Sequence, residues 1–88
     1  MSYGILLHPK ANAFLDSIDA NLRDRIRKKL RTLSDKPENG EKLKNSNFWR
    51  LRIGDYRAIY EIDRNSENVV VLYIGHRSDV YDDFSRLF

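Results

Sequence analysis

With 88 residues, 41% hydrophobic and 33% charged, the chain reads as a folded protein, and one domain over 1–88 is the expectation. The absence of cysteine excludes disulfides and thiolate metal sites, and two histidines far apart in sequence argue against zinc. Lys plus Arg is 16 against 13 Asp plus Glu; this net +3 points only weakly to nucleic acid, and no apolar run has the length of a membrane span. With no signal peptide recognised, a cytoplasmic location without membrane association is expected.

In chain order, residues 2–7 predict a short first strand, ended by His8-Pro9, and Pro9 suits the first turn of a helix. A helix over 9–18 would turn Ala13, Phe14 and Ile18 inward. Ser17 or Asp19 is placed to cap a second helix. That helix carries the clearest periodicity in the chain, with Leu22, Ile26, Leu30 and Leu33 at spacings of four, four and three, and Pro37 stops it. The two helices would form an αα-hairpin. The arginines and lysines of 23–31 read as a solvated helix face or as a contact to RNA. Residues 38–47 are polar, with Gly40 and three asparagines, and predict a loop that touches the sheet at Leu43.

Residues 48–63 predict a β-hairpin around Gly54-Asp55, with Gly54 supplying the positive φ of a II′ turn. A two-residue loop pairs Ile53 with Tyr56, Arg52 with Arg57, Leu51 with Ala58, Arg50 with Ile59 and Trp49 with Tyr60. Side chains alternate along a strand, so Arg50, Arg52 and Arg57 share one face. Trp49, Leu51, Ile53, Tyr56, Ala58 and Tyr60 form the other, apolar face. Like charges directly opposite on a sheet are destabilising, so a compensating anion is expected, and phosphate is the natural one. Residues 69–74 are apolar on both faces and predict a central strand. Ser78 or Asp79 would cap a last helix over 80–87, with Val80, Tyr81, Phe84 and Leu87 as its stripe. Helices grouped before an antiparallel three-stranded meander indicate an α+β domain. The helical pair should cover the apolar hairpin face and leave the arginine face concave and open. The segment 79–88, acidic and with few apolar residues, is expected to be mobile.

The residues Trp49-Arg-Leu-Arg-Ile-Gly-Asp-Tyr-Arg-Ala-Ile-Tyr60, a β-branched strand, and then Gly75-His-Arg-Ser-Asp-Val-Tyr81 resemble the RelE/ParE superfamily of toxin–antitoxin toxins. The resemblance covers nearly the whole chain, including the Glu41-Lys-Leu-Lys44 approach to the hairpin. It implies a RelE-like fold and, for the RelE branch, a ribosome-dependent endoribonuclease. Such a toxin cuts mRNA in the A site, using the substrate 2′-hydroxyl as nucleophile and needing no metal or cofactor. The branch pattern has two basic residues on the strand before the turn, an arginine after it, an arginine at the end of the central strand and a tyrosine beyond. These positions are Arg50, Arg52, Arg57, Arg77 and Tyr81 here. The resemblance also implies a RelB-like antitoxin as partner, with ribosome and mRNA as targets. The ParE branch, which blocks DNA gyrase without chemistry, shares the fold and the Tyr-Arg hairpin. A catalytically silent RNA- or antitoxin-binding relative is a further alternative.

Arginines stand where lysines occupy the two alternating positions in the best-studied branch. Arginine does not give up its proton, so Arg50 is a poor general base. His76, with an ordinary pKa near neutrality, is the candidate to take it. A regular strand through His76 would, however, turn His76 and Arg77 to opposite faces unless Gly75 breaks it. Arg52 and Arg57 would fork onto the non-bridging oxygens, Arg77 would act near the leaving group, and Tyr81 would stack on or orient a nucleotide. Against these stand plainer roles: the arginines as solvated surface, His76 as a hydrogen-bonded structural residue and Tyr81 as core.

Overall fold

The structure is a computed structural model that describes residues 2–88. The chain runs β1 (Gly4–Leu7), α1 (Pro9–Ser17), α2 (Ala20–Asp35), a 3₁₀ turn (Pro37–Asn39), β2 (Glu41–Lys42), β3 (Phe48–Ile53), β4 (Tyr56–Asp63), β5 (Asn68–His76) and α3 (Val80–Leu87). Local chemistry sets the helix boundaries. The His8 ring accepts the Lys10 N–H, and Pro9 occupies the first helical position, where no N–H is needed. Of the two candidate caps for α2, Asp19 does the work: its carboxylate accepts the Leu22 N–H at 2.9 Å. The Ser17 hydroxyl instead donates to the Phe14 carbonyl at the end of α1.

Five strands make one sheet in the order β1-β5-β4-β3-β2. β3, β4 and β5 are the expected antiparallel meander. β1 lies parallel to β5, with Leu6 opposite Val70, so the sheet is mixed rather than wholly antiparallel. A parallel neighbour requires a crossover, and the α1–α2 hairpin supplies it. The polar segment 38–47 is more than a loop: Glu41 and Lys42 pair with Arg50 and Trp49 as a two-residue edge strand. A strand this short has no periodicity to read.

One face of the sheet carries the main core. Leu15, Ile26, Leu30 and Leu33 pack against Leu51, Ala58, Tyr60, Val69, Val71 and Ile74. On α1 Ala11 and Leu15 are the buried residues, and Phe14 and the C-cap Ile18 pack half-buried against the core as expected; Ala13 is exposed, which corrects the expected face at that position. Tyr60 has no exposed surface. Its hydroxyl donates to the Pro37 carbonyl at 2.7 Å and accepts the Gly40 N–H at 3.1 Å, which ties the turn before β2 to the sheet. A Cβ on Gly40 would lie 2.2 Å from the Arg50 carbonyl oxygen, so only glycine allows this approach.

The other face is not left open along its whole length. Val80 and Phe84 of α3 are buried against Ile59 and Leu72, with Phe48, Val70 and Tyr73 around them. The register shift between Ile59–Tyr73 and Tyr60–Val71 is a bulge at Leu72, and both Leu72 and Tyr73 join the cluster under α3. Phe84 also meets Phe48 edge to face at 5.0 Å. The C-terminal segment therefore has a docking surface, contrary to the expectation of a mobile tail: its own Val80 and Phe84 meet the apolar residues that the sheet presents on this face. α3 covers the β5 side of this face together with Phe48 and Ile59, and leaves the turn end of the hairpin, with Arg52 and Arg57, open.

Candidate active site

The hairpin forms in the expected register, from Trp49 opposite Tyr60 to Ile53 opposite Tyr56. Gly54 has φ 58°, the left-handed conformation a primed turn needs at its first central residue. Arg50, Arg52 and Arg57 consequently stand on one face. Together with Arg77, Ser78, Tyr81 and Glu41 they line a groove of about 480 Å³.

The four arginines are held differently. Arg50 Nη2 donates to Glu41 Oε2 at 2.6 Å, across the β2–β3 pair, and Arg50 Nη1 donates to the Tyr81 hydroxyl at 2.9 Å. Its guanidinium carbon lies 5.8 Å from the Tyr81 ring centre. The hydrogen bond to Glu41 first, and that to Tyr81 second, raise the Arg50 pKa above its ordinary value. Arg50 is a fixed cation and cannot serve as a base. Arg57 Nη1 donates to the carbonyls of Gly54 and Tyr56, both at 2.8 Å, so its remaining N–H groups are aimed by the turn. Arg77 follows β5; its backbone N–H donates to the Asp55 carbonyl at 2.8 Å, and its Nε lies 4.0 Å from Asp55 Oδ1. Arg52 lies directly opposite Arg57 and is exposed. Among the described residues its guanidinium makes no hydrogen bond or ion pair. The like-charge repulsion foreseen for the hairpin is thus relieved at Arg50 by Glu41 and at Arg57 by carbonyl dipoles, and is left standing at Arg52.

His76 does not join this cluster. β5 stays regular through Gly75, which pairs with Arg57, and His76, which pairs with Tyr56. The His76 ring therefore turns to the opposite face, edge-on to Tyr56 at 5.6 Å, with Nδ1 at 2.8 Å from the Ser78 hydroxyl. The residue that sequence reasoning did not place is Glu41. It is the one carboxylate lining the groove, and β2 sets it beside Arg50. Tyr81 belongs to both alternatives, half-buried against the α3 cluster with its hydroxyl in the groove. Among the described residues no group of three His, Asp or Glu side chains converges as a metal site.

The sequence pattern of the ParE toxins of type II parDE toxin–antitoxin systems matches residues 5–81. The chain belongs to this family. It is a type II toxin of the RelE/ParE superfamily, and its fold agrees with that of solved members. A chain of the RelBE2 toxin–antitoxin complex of Mycobacterium tuberculosis is similar with TM-score 0.80 and 25% identity, over 88% of this chain and 100% of that one. A free-state mutant of the E. coli toxin RelE aligns over 100% of both chains, with TM-score 0.77 and 22% identity. A chain of the archaeal RelE–RelB complex of Pyrococcus horikoshii OT3 gives TM-score 0.71 and 24% identity, over 88% and 97%. No curated protein sequence matches the chain. No helix among the described residues is long and apolar enough to cross a membrane.

Proposed function

We propose that this toxin is an endoribonuclease that cuts mRNA in the ribosomal A site by transesterification. The observation that carries the reading is one groove lined by Arg50, Arg52, Arg57 and Arg77 together with a carboxylate, Glu41, which pairs with Arg50, and Tyr81, whose hydroxyl also meets Arg50. The reaction forms a bond from the substrate 2′-oxygen to phosphorus and breaks the bond from phosphorus to the 5′-oxygen. It leaves a 2′,3′-cyclic phosphate and a 5′-hydroxyl. Glu41 is the carboxylate of the groove placed to accept the 2′-proton, since the arginines stay charged. Glu41 Oε2 is occupied by Arg50, and Oε1 remains to take the proton. Arg52 and the free N–H groups of Arg57 receive the charge that builds on the non-bridging oxygens, with Arg77 flanking them. The Tyr81 oxygen accepts from Arg50, which leaves its O–H to donate toward the 5′-oxygen. A groove this open does not compress a flexible strand into in-line geometry, so the ribosome supplies that alignment. The action is then cytoplasmic. The similar Mycobacterium tuberculosis and Pyrococcus horikoshii chains come from complexes with antitoxins, which supports a cognate RelB-like antitoxin as partner.

The test is controlled expression with mapping of transcript 5′ ends. Cuts confined to translated frames, reduced about 10²–10³-fold by Arg57→Ala, are expected. Growth arrest with intact transcripts would overturn the nuclease. The match to the ParE family favours gyrase inhibition as the second reading, to be read as trapped DNA cleavage complexes insensitive to Arg77→Ala.

A further inference from the structure

A second cationic groove, of about 360 Å³, adjoins the first and is lined by Arg25, Lys29, Arg52, Ile53 and Gly54. Arg52 is common to both grooves. Arg25 and Lys29 are one helical turn apart on α2, so they present two cations on one face. No carboxylate lines this groove, whereas Glu41 balances part of the first. β2 pairs with β3 only at Trp49 and Arg50, so beyond Arg50 no strand covers this edge, and the two grooves, on either side of β3, meet at Arg52.

We infer that the second groove binds the phosphate backbone of the same RNA strand, one or more nucleotides away from the cut. The strand leaves the reaction groove over the open β3 edge, and Arg52 bridges the two. This rests on the RNA-cutting reading and extends it: the cation that the ladder leaves unpaired is the one both grooves share. A polyanion of repeating phosphates fits the lining better than an acidic polypeptide would. Ile53 is the one apolar side chain in the lining, so there is little to anchor side chains of a docking protein, whereas phosphate contacts need only cations in sequence.

The experiment measures binding of purified toxin to single-stranded RNA bearing 2′-O-methyl groups, which cannot form the cyclic phosphate, as a function of salt. Each cation that releases a counterion contributes about 0.7 to the slope of log K against log salt for a single strand, so Arg25→Gln/Lys29→Gln should lower it by about 1.4. The loss should appear with an oligonucleotide long enough to reach both grooves and vanish with one that fills only the first. Lys10→Gln/Lys36→Gln, an equal charge change at residues lining neither groove, should leave the slope unchanged. A slope unchanged in the Arg25/Lys29 variant, or lowered equally by the Lys10/Lys36 variant, overturns the inference while the mapped cuts still stand. Failure of the wild type to bind the long oligonucleotide also overturns it, and transcript mapping then judges the nuclease separately. Binding of an acidic antitoxin peptide lost in the Arg25/Lys29 variant, with RNA binding intact, would assign the groove to the antitoxin instead.

Discussion

Glu41→Gln separates chemistry from stability, because the ion pair it removes is a surface one. Glu41 meets Arg50 at 2.6 Å, but the two side chains are 73% and 39% exposed. Exposed pairs are worth about 0–1 kcal/mol, and glutamine retains an oxygen that accepts from Arg50. The thermal midpoint should therefore fall by less than about 4–8 °C, the shift that a full 1 kcal/mol gives in a domain of this size. As the proton acceptor, Glu41 should be worth about 10²–10⁴ in rate, which is roughly 3–5 kcal/mol of barrier. The substitution also removes the one negative charge lining the groove, so RNA affinity should hold or rise. The assay is single-turnover cleavage on programmed ribosomes, with KM and kcat separated and thermal denaturation in parallel. The expected pattern is a collapsed kcat, an unchanged or lower KM and a nearly unchanged melting point. A wild-type kcat, or a loss no larger than the change in folded fraction, would refute Glu41 as the base.

Tyr60→Phe removes the hydroxyl that joins Pro37 and Gly40 to the sheet and should cost about 1–3 kcal/mol by denaturant titration, with a fall in kcat as Glu41 loses its fixed place. Burial, more than any other influence, raises the Tyr60 pKa above its ordinary 10.0. Because the folded-state value is the higher one, its stability contribution is complete below pH 10.0 and is lost as pH rises through the folded value, so Tyr60→Phe should flatten alkaline unfolding above that point. Phe84→Ala should destabilise by about 3–5 kcal/mol and lower cleavage further, since Phe84 anchors the helix that carries Tyr81; equal losses in stability and rate would argue against that positional effect. Asp19→Ala should cost about 1 kcal/mol through the lost cap on α2 and leave kcat per folded molecule unchanged.

The hairpin was legible because its information is local. A two-residue turn with glycine at the left-handed position leaves one register, and period-two alternation then assigns Arg50, Arg52 and Arg57 to one face with no knowledge of the rest. The stripe of α2 and the cap at Asp19 were equally local, as was the motif that carried the family resemblance, now supported by the match over 5–81. Three features were legible only in part or not at all. Glu41 faces Arg50 through a two-residue strand, and that strand exists because Tyr60, twenty residues away, holds Gly40. His76 and Arg77 are neighbours in sequence, and only the regular pairing of Gly75 and His76 with β4 sends them to opposite faces. The docking of α3 was half-written in the chain: a strand apolar on both faces needs cover on both, and Val70, Leu72 and Tyr73 supplied that signal. What the sequence alone determined is the set of cations and the face they share, because backbone geometry repeats over a few residues. Which anion stands among them, which side chain is turned away and which helix closes one side were decided by tertiary structure, because those contacts join segments far apart in the chain and form only when the core brings them together.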